Sequence, residues 1–308
     1  MSEGALPVRN AKAHLLWRTP AWRTVRRIVR RRLALPSVLI ILIVAVAAVG
    51  ANVLAPHSPT ALDVRHQLEG PSWSHPFGTD QLGRDLFSRM IYGSRVALQV
   101  GLGAATVGVL VGVPLGLVAG YSRGVPDMII SRVIDCLLAF PAVLLAIAVV
   151  AFLGQELRSL VFALGAAATP WFARLVRAET LGLRERDFVL AARASGASDS
   201  RVLVHHLLPN VMAPVIVQFS LSVGQAIIAE ASLSFLGIGV RPPTPTWGGE
   251  LQFGFGFLDQ HVHLWAVPCL FIFLLTMSFN LLGDALRDAL DPKLRDGGTG
   301  HEREEQPG

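Results

Sequence analysis

Six separate stretches of this sequence are apolar for long enough to demand removal from water, and nothing else constrains the fold as strongly. Leu33 to Ala55 carries no charge and is long enough to cross a hydrocarbon layer of roughly 30 Å. Val96 to Tyr121 follows, then Val133 to Leu153, which is interrupted by Asp135 and Pro141. Next come the shorter Leu160 to Phe172, then Val211 to Val240 with Glu230 inside it, and finally Val262 to Leu282. In lipid every backbone N–H and C=O must find its partner within the protein, so such runs read as helices. The expected fold is an all-α membrane protein with six transmembrane helices. Only 16% of the residues are charged, against about a quarter in soluble domains, which excludes an ordinary soluble enzyme. The first run and its basic flank exceed the pattern of a cleaved signal peptide, whose apolar core is about 7–15 residues. Cys136 and Cys269 lie in apolar runs, so a disulfide scaffold and a cysteine-ligated zinc site are excluded.

Six spans put both termini on one side. With the N-terminus cytoplasmic, all but six of the 27 lysines and arginines fall in inside segments. The exceptions are Arg65, Arg84, Arg89, Arg95, Arg158 and Arg241. This asymmetry sets the orientation, because basic residues accumulate on the cytoplasmic side. The net charge of +5 is therefore a topology signal and, from Arg26 to Arg32, a contact for anionic lipid. It lacks the aromatic interleaving of a nucleic-acid face. The chain divides into a basic cytoplasmic segment (1–32), a first transmembrane helix (33–55), an external segment (56–94), a transmembrane core (95–284) and a cytoplasmic tail (285–308). The tail is polar and glycine-rich from Gly297 and reads as disordered.

Two connecting segments carry pattern. In the external segment, Leu86, Phe87, Met90 and Ile91 fall at helical spacing after Asp85. This reads either as an amphipathic helix leading into the second span or as a plain structured loop. In the internal loop (173–210), Asp187 to Ser195 reads as a short helix that Gly196 stops, since glycine tolerates the left-handed conformation of a helix end. Ser198 or Asp199 can cap a second helix. That helix carries Val202, Leu203, Leu207 and Leu208 and is expected to end at Pro209. Together these form a helix–turn–helix on the inner membrane face.

Several chemistries are missing. A P-loop needs Gly-Lys-Ser or Gly-Lys-Thr, and the two lysines, Lys12 and Lys293, follow Ala11 and Pro292. There is no Gly-x-Ser-x-Gly elbow and no His-Glu-x-x-His motif. His205 and His206 point to different sides of a helix, and His261 and His263 sit near a membrane boundary. Both pairs read as polar interfacial histidines rather than metal ligands. What is present is a row of small residues, Gly108, Gly112, Gly116 and Gly120, continued by Ala104, which lets another helix pack closely. Pro114 within it is a candidate kink. Asp135 and Glu230 are the intramembrane acids. A central charge costs about 2.5–3.5 kcal/mol on insertion scales, so each must face protein or a water-filled path. Asp135 reads as an ion pair with Arg132 or a pathway group; Glu230 reads as a hydrogen-bonded packing residue or a pathway group.

The internal loop resembles that of the permease subunits of binding-protein-dependent ABC importers, whose pattern is Glu-Ala-Ala, three residues, Gly, nine residues, Ile, one residue, Leu-Pro. Ala191, Ala192, Gly196, Leu208 and Pro209 fall on that spacing, with Leu190 in place of Glu and His206 in place of Ile. Phe77, Gly78, Thr79 and Asp80, then Gly83, Arg84, Asp85, Ser88 and Arg89, are similar to the C-type subunit of the dipeptide/oligopeptide group. So are Glu230 to Gly239 with Pro242, Pro243, Trp247 and Gly248, and Leu282 to Pro292. The resemblance covers about Pro76 to Arg295.

It implies a multi-pass subunit in a prokaryotic inner or plasma membrane. The subunit would form a path for dipeptides or oligopeptides by alternating access, together with a homologous permease, two ABC ATPase subunits and an extracytoplasmic binding protein. ATP and Mg would sit on the ATPases, with no catalytic residue, metal or cofactor on this chain. The coupling loop would place Ala191, Ala192, Gly196, Leu208 and Pro209 at the ATPase, flanked by Phe188 and Arg193, with Arg201 alongside. The alternatives are a permease for nickel or another small solute, an ion-coupled secondary carrier acting alone, and a membrane-anchored structural or sensor protein.

Overall fold

A computed structural model of the protein describes residues 34–122 and 124–290. Leu33, the basic residues from Arg9 to Arg32, Arg123 and the tail with Lys293 lie outside the described residues. Among the described residues the structure is all-helical, with one isolated bridge between Thr79 and Asp85. In chain order the helices are α1 (Ala34–Val49), α2 (Ala51–Leu54), α3 (Leu86–Tyr121), α4 (Val125–Ala139), α5 (Ala142–Leu153), α6 (Leu157–Leu183), α7 (Asp187–Ala194), α8 (Asp199–Phe235), α9 (Trp247–Phe255) and α10 (Val262–Leu290). A single 3₁₀ turn, Val64–His66, lies in the loop before α3.

Helices α3, α6, α8 and α10 are long and apolar enough to cross a membrane. The α4–α5 pair supplies a fifth span if two helices bent by 92° count as one. The expected first span is shorter among the described residues: α1 has 16 residues, and the chain turns at Gly50 before α2. The expected third span, Val133 to Leu153, is two helices. Pro141 disfavours helical backbone at the residue before it, and Phe140 is extended with φ −90° and ψ 137°.

The stretch after Asp85 is helical and continuous with the second span. Its first turn is held by the Asp85 carboxylate, which accepts from the Ser88 N–H at 2.8 Å. With 36 residues, α3 is roughly 54 Å long, so it separates two ends of the molecule that never touch. They are called here the Glu250 end, at Leu86, and the Gly196 end, at Tyr121. Helix α3 continues through Pro114, and α6 through Pro170.

The α3–α6 pairing is the most extensive in the fold, followed by α8 with α10 and α8 with α3. Three apolar clusters fill the seams: one among α1, α3, α8, α9 and α10, one among α3, α5, α6 and α8, and one at the Gly196 end. Large apolar side chains also point outward, including Leu39, Leu42, Ile43 and Val46 on α1, Phe152, Trp171 and Phe273. Water does not tolerate so broad an apolar exterior, whereas lipid or a second subunit does.

Candidate functional site

The glycine row lies on the face of α3 turned to α6. A Cβ added at Gly112 would come within 2.7 Å of the Thr169 carbonyl oxygen. At Gly116 it would come within 2.5 Å of the Ala173 carbonyl oxygen, and at Gly120 within 2.8 Å of that of Arg177. At Gly108 it would meet the Phe172 ring at 3.0 Å. Backbone therefore meets backbone along the seam, which is what removing every fourth side chain permits. Ala104 continues the contact: a Cβ on Gly165 of α6 would lie 3.2 Å from its carbonyl oxygen.

At the Gly196 end, α7 and the start of α8 form an elbow. Gly196 has φ +80°; its N–H donates to the Arg193 carbonyl at 3.0 Å and the Ala197 N–H to the Ala192 carbonyl at 3.1 Å. These two bonds form a Schellman cap, satisfying carbonyls that a helix end leaves open. Ser198 takes the N-cap position of α8 with extended backbone. Asp199 instead accepts a hydrogen bond from the Tyr121 hydroxyl at 2.5 Å, which ties the elbow to the end of α3.

Pro209 does not end the second helix. Residues Val202–Leu207 form a π turn, in which the Leu208 N–H donates to Leu203, five residues back, and the helix then runs on through Pro209 to Phe235. A proline ring clashes with the carbonyl four residues earlier, and the widened turn just before Pro209 accommodates it. The expected stop is therefore a register change inside one 37-residue helix, so the elbow is continuous with a membrane-length helix.

The elbow presents an open apolar surface. Of the α7 residues only Val189 is buried; Phe188, Leu190, Ala191 and Arg193 are exposed and Ala192 is half-buried. The Arg193 guanidinium stands 5.9 Å from the centre of the Tyr121 ring. Gly196 and Pro209 are exposed, Leu208 is half-buried and Arg201 is exposed. Beside α7 an open hollow of about 570 Å³ is lined by Tyr121, Pro126, Arg184, Leu190, Arg193 and Asp199 among others.

The two acids differ. Asp135 pairs not with Arg132 but with Arg174 on α6, at 2.6 Å, and both side chains are more than half exposed. Asp127 on the same helix makes a two-bond pair with Arg177, at 2.6 and 2.9 Å. The α6 partners win because α4 packs against α6, which brings opposite charges together across the seam. Glu230 is buried within α8 and accepts from the Ser234 hydroxyl at 2.7 Å.

The Glu250 end holds what sequence reasoning assigned no chemistry. Asp80 accepts from the Leu82 and Arg84 N–H groups at 2.8 and 3.0 Å and from Arg84 Nε at 2.5 Å. Arg89 pairs with Glu250 of α9, donating from Nε at 2.8 Å and also from Nη2, and both side chains are 2% exposed. Arg89 Nη1 donates to the Pro59 carbonyl at 2.6 Å. The Trp247 indole N–H donates to the Met90 carbonyl at 2.9 Å. Gly83, at φ +72°, leaves 1.7 Å between a would-be Cβ and the Asp63 carbonyl oxygen, so only glycine fits. The available signal was two pairs of opposite charges four apart, Asp80 with Arg84 and Asp85 with Arg89, at the start of a long apolar helix. Out on the surface, Asp63 accepts from the His66 Nδ1 at 2.8 Å. That hydrogen bond holds the Asp63 carboxyl below its ordinary pKa and raises that of His66.

The fold defines a multi-pass membrane protein with a helix–turn–helix elbow at one end. The chain belongs to the family described as binding-protein-dependent transport system inner membrane component, which matches residues 112–296. Residues 19–71 match the N-terminal TM domain of oligopeptide transport permease C. The chain is 42% identical over 275 residues to the dipeptide transport system permease protein DppC of Alkalihalophilus pseudofirmus, covering 89% of this chain and 90% of that one. It is 44% identical over 280 residues to the glutathione transport system permease protein GsiD of Pectobacterium atrosepticum, covering 90% and 93%. Among solved structures, an inward-facing MetNI methionine ABC transporter chain aligns with TM-score 0.55 at 17% identity, over 66% of this chain and 96% of that one. That likeness concerns the fold alone.

Proposed function

We propose that the chain pairs with a homologous permease to form the path for dipeptides or oligopeptides in an ATP-driven importer. The two ATPase subunits would carry ATP and Mg, and an extracytoplasmic binding protein would deliver cargo at the Glu250 end. The relatives named for dipeptide and glutathione transport support the cargo class, since each is matched over nine-tenths of its length. Both termini and the elbow are then cytoplasmic, and α1 is the sixth span. Membrane lipid covers the remaining apolar faces, and no nucleic-acid partner is involved.

The observation that carries the coupling role is the continuity of the elbow with α8. A docked surface that moves a rigid 37-residue helix transmits displacement into the membrane, where a flexible loop would absorb it. Ala191, Ala192 and Gly196 let a partner backbone approach, Phe188 and Arg193 flank them, and Leu208 and Pro209 mark where the lever enters the membrane. Asp135 is more than half exposed while paired with Arg174, which suits a path or a permease–permease seam. Glu230, bonded to Ser234 inside α8, fits a packing role.

The test uses the assembled importer in nanodiscs. Ala191→Asp and Gly196→Val are expected to lower both uptake and binding-protein-stimulated ATP hydrolysis while insertion is unchanged. Normal coupling in both variants would overturn the assignment.

A further inference from the structure

Three side chains at the Glu250 end have no part in the transport reading. His57 follows α2, His75 lies in the loop before α3, and Asp85 caps α3. The Nδ1 of His75 is 3.0 Å from Oδ1 of Asp85, and the Nδ1 of His57 is 3.8 Å from Oδ2. One ligand atom from each residue lies within 4.8 Å of the other two. The two imidazole rings are tilted by 32° with centroids 4.8 Å apart.

The carboxylate is held in place. Its Oδ2 accepts from the Ser88 N–H at 2.8 Å and the Ser88 hydroxyl at 2.6 Å. The Ser88 Oγ in turn accepts from the His57 backbone N–H at 3.2 Å, which seats His57 beside the carboxylate. Side-chain exposure rises from 1% at Asp85 through 15% at His75 to 43% at His57. The group is thus a fixed, buried acid with two imidazoles above it, opening to solvent on one side.

We propose that His57, His75 and Asp85 bind one divalent transition-metal ion of the kind that prefers imidazole. Two imidazoles and a carboxylate are a donor set for Zn²⁺ and its neighbours, and three protein ligands leave a fourth position for water. Ligands about 2.0–2.1 Å from a tetrahedral ion stand roughly 3.4 Å apart; His75 Nδ1 lies 3.0 Å from Oδ1, His57 Nδ1 3.8 Å from Oδ2, and the three ligand atoms lie within 4.8 Å of one another. His57, the most exposed of the three, needs only a side-chain rotation to close the remaining gap. Ser88 supplies the outer hydrogen bonds that orient the ligating acid. His66 stands apart: its Nδ1 is engaged by Asp63, and its ring centroid is 6.3 Å from that of His75. The consequence is mechanical. The ion would fasten the segment after α2 to the first turn of α3, pinning the end of the first helices to the start of a membrane-length one.

This inference rests on the cluster's geometry and does not depend on the transport reading. Its test is Zn²⁺ titration calorimetry on the tag-free full chain in nanodiscs, with Co²⁺ absorption as the geometric probe. One Zn²⁺ per chain is expected, with affinity falling about tenfold or more in His57→Ala and in His75→Ala. His261→Ala and His263→Ala are expected to leave it unchanged. Co²⁺ is expected to give the intense visible bands of a four-coordinate site, lost in the same two variants. Zn²⁺ is also expected to raise the melting temperature of the wild type but not of His57→Ala. The exposed position of His57 makes that variant safe for folding, and circular dichroism checks it. Absence of stoichiometric binding, or equal affinity in His57→Ala, would overturn the proposal and leave the His75–Asp85 contact as a plain hydrogen bond.

Discussion

The two ends of α3 use charge in opposite ways. At the Glu250 end, Arg84, Arg89, Asp80 and Glu250 are all but sealed from solvent, and the loop backbone wraps around them. At the Gly196 end, the side chains of Arg177 and Asp127 are 33% and 25% exposed and those of Arg174 and Asp135 more than half exposed. A buried pair is rigid because separating it strands a charge without solvent, whereas an exposed pair exchanges partners with water at small cost. Charge thus locks the loop at one end, while at the other it leaves ion pairs that can exchange partners at the surface.

The contrast is easiest to break at Glu250. Glu250→Ala leaves buried Arg89 with only the Asp80 carboxylate, 4.0 Å away, and the Pro59 carbonyl, and is expected to cost about 3 kcal/mol, read as a large drop in melting temperature in detergent. A drop within error would mean that water reaches this end freely. Next in size is Gly196→Val. No atom lies within 4 Å of a Cβ there, so the cost is only that of a left-handed backbone, about 1–2 kcal/mol. Gly196→Asn, which tolerates that conformation, is expected to retain most of the coupling that the valine loses. Asp127→Asn, at a part-buried pair still open to water, is expected to cost about 1 kcal/mol. A loss as large as that of Glu250→Ala would erase the distinction between the ends.

The smallest effect is electrostatic and sits at the loop surface. His66 titrates above the usual histidine value because of Asp63, so its contribution to the turn is complete below that usual value and fades as pH rises through the raised one. Asp63 titrates low for the same reason, so its contribution holds above the usual carboxylate value and fades as pH falls through the lowered one. The turn is therefore tightest between the two. The imidazole resonance of His66 in NMR is expected to titrate at higher pH than in a peptide, and Asp63→Asn is expected to return it toward the peptide value.

What could be read from the sequence follows from range. Apolar runs announce α3, α6, α8 and α10 because each helix is chosen by its own composition. The Gly196 turn is legible because a glycine after a short helical pattern has a local cause. The continuity through Pro209 is not, since the π turn ahead of it depends on packing that composition does not reveal. Arg89 and Glu250 are 161 residues apart, and Asp135 finds Arg174 on another helix 39 residues away, so no spacing rule pairs them. The three residues of the His57 cluster come from three separate stretches of chain and form no motif. The bend at Phe140 lies between these cases: Pro141 marks the break, but its 92° angle is set by how α4 and α5 settle on α6.

The proposed coupling role makes the Gly196 elbow the place where the ATPase subunits dock. Cysteine cross-linking in the assembled importer tests it, with Cys136 and Cys269 first replaced. Ala191→Cys at the elbow and Trp73→Cys, fully exposed toward the Glu250 end, form the matched pair of probes. Position 191 is expected to cross-link to an ATPase subunit in a nucleotide-dependent manner, and position 73 is not. Cross-linking of the ATPase at position 73, with none at position 191, would contradict the assignment of the two ends.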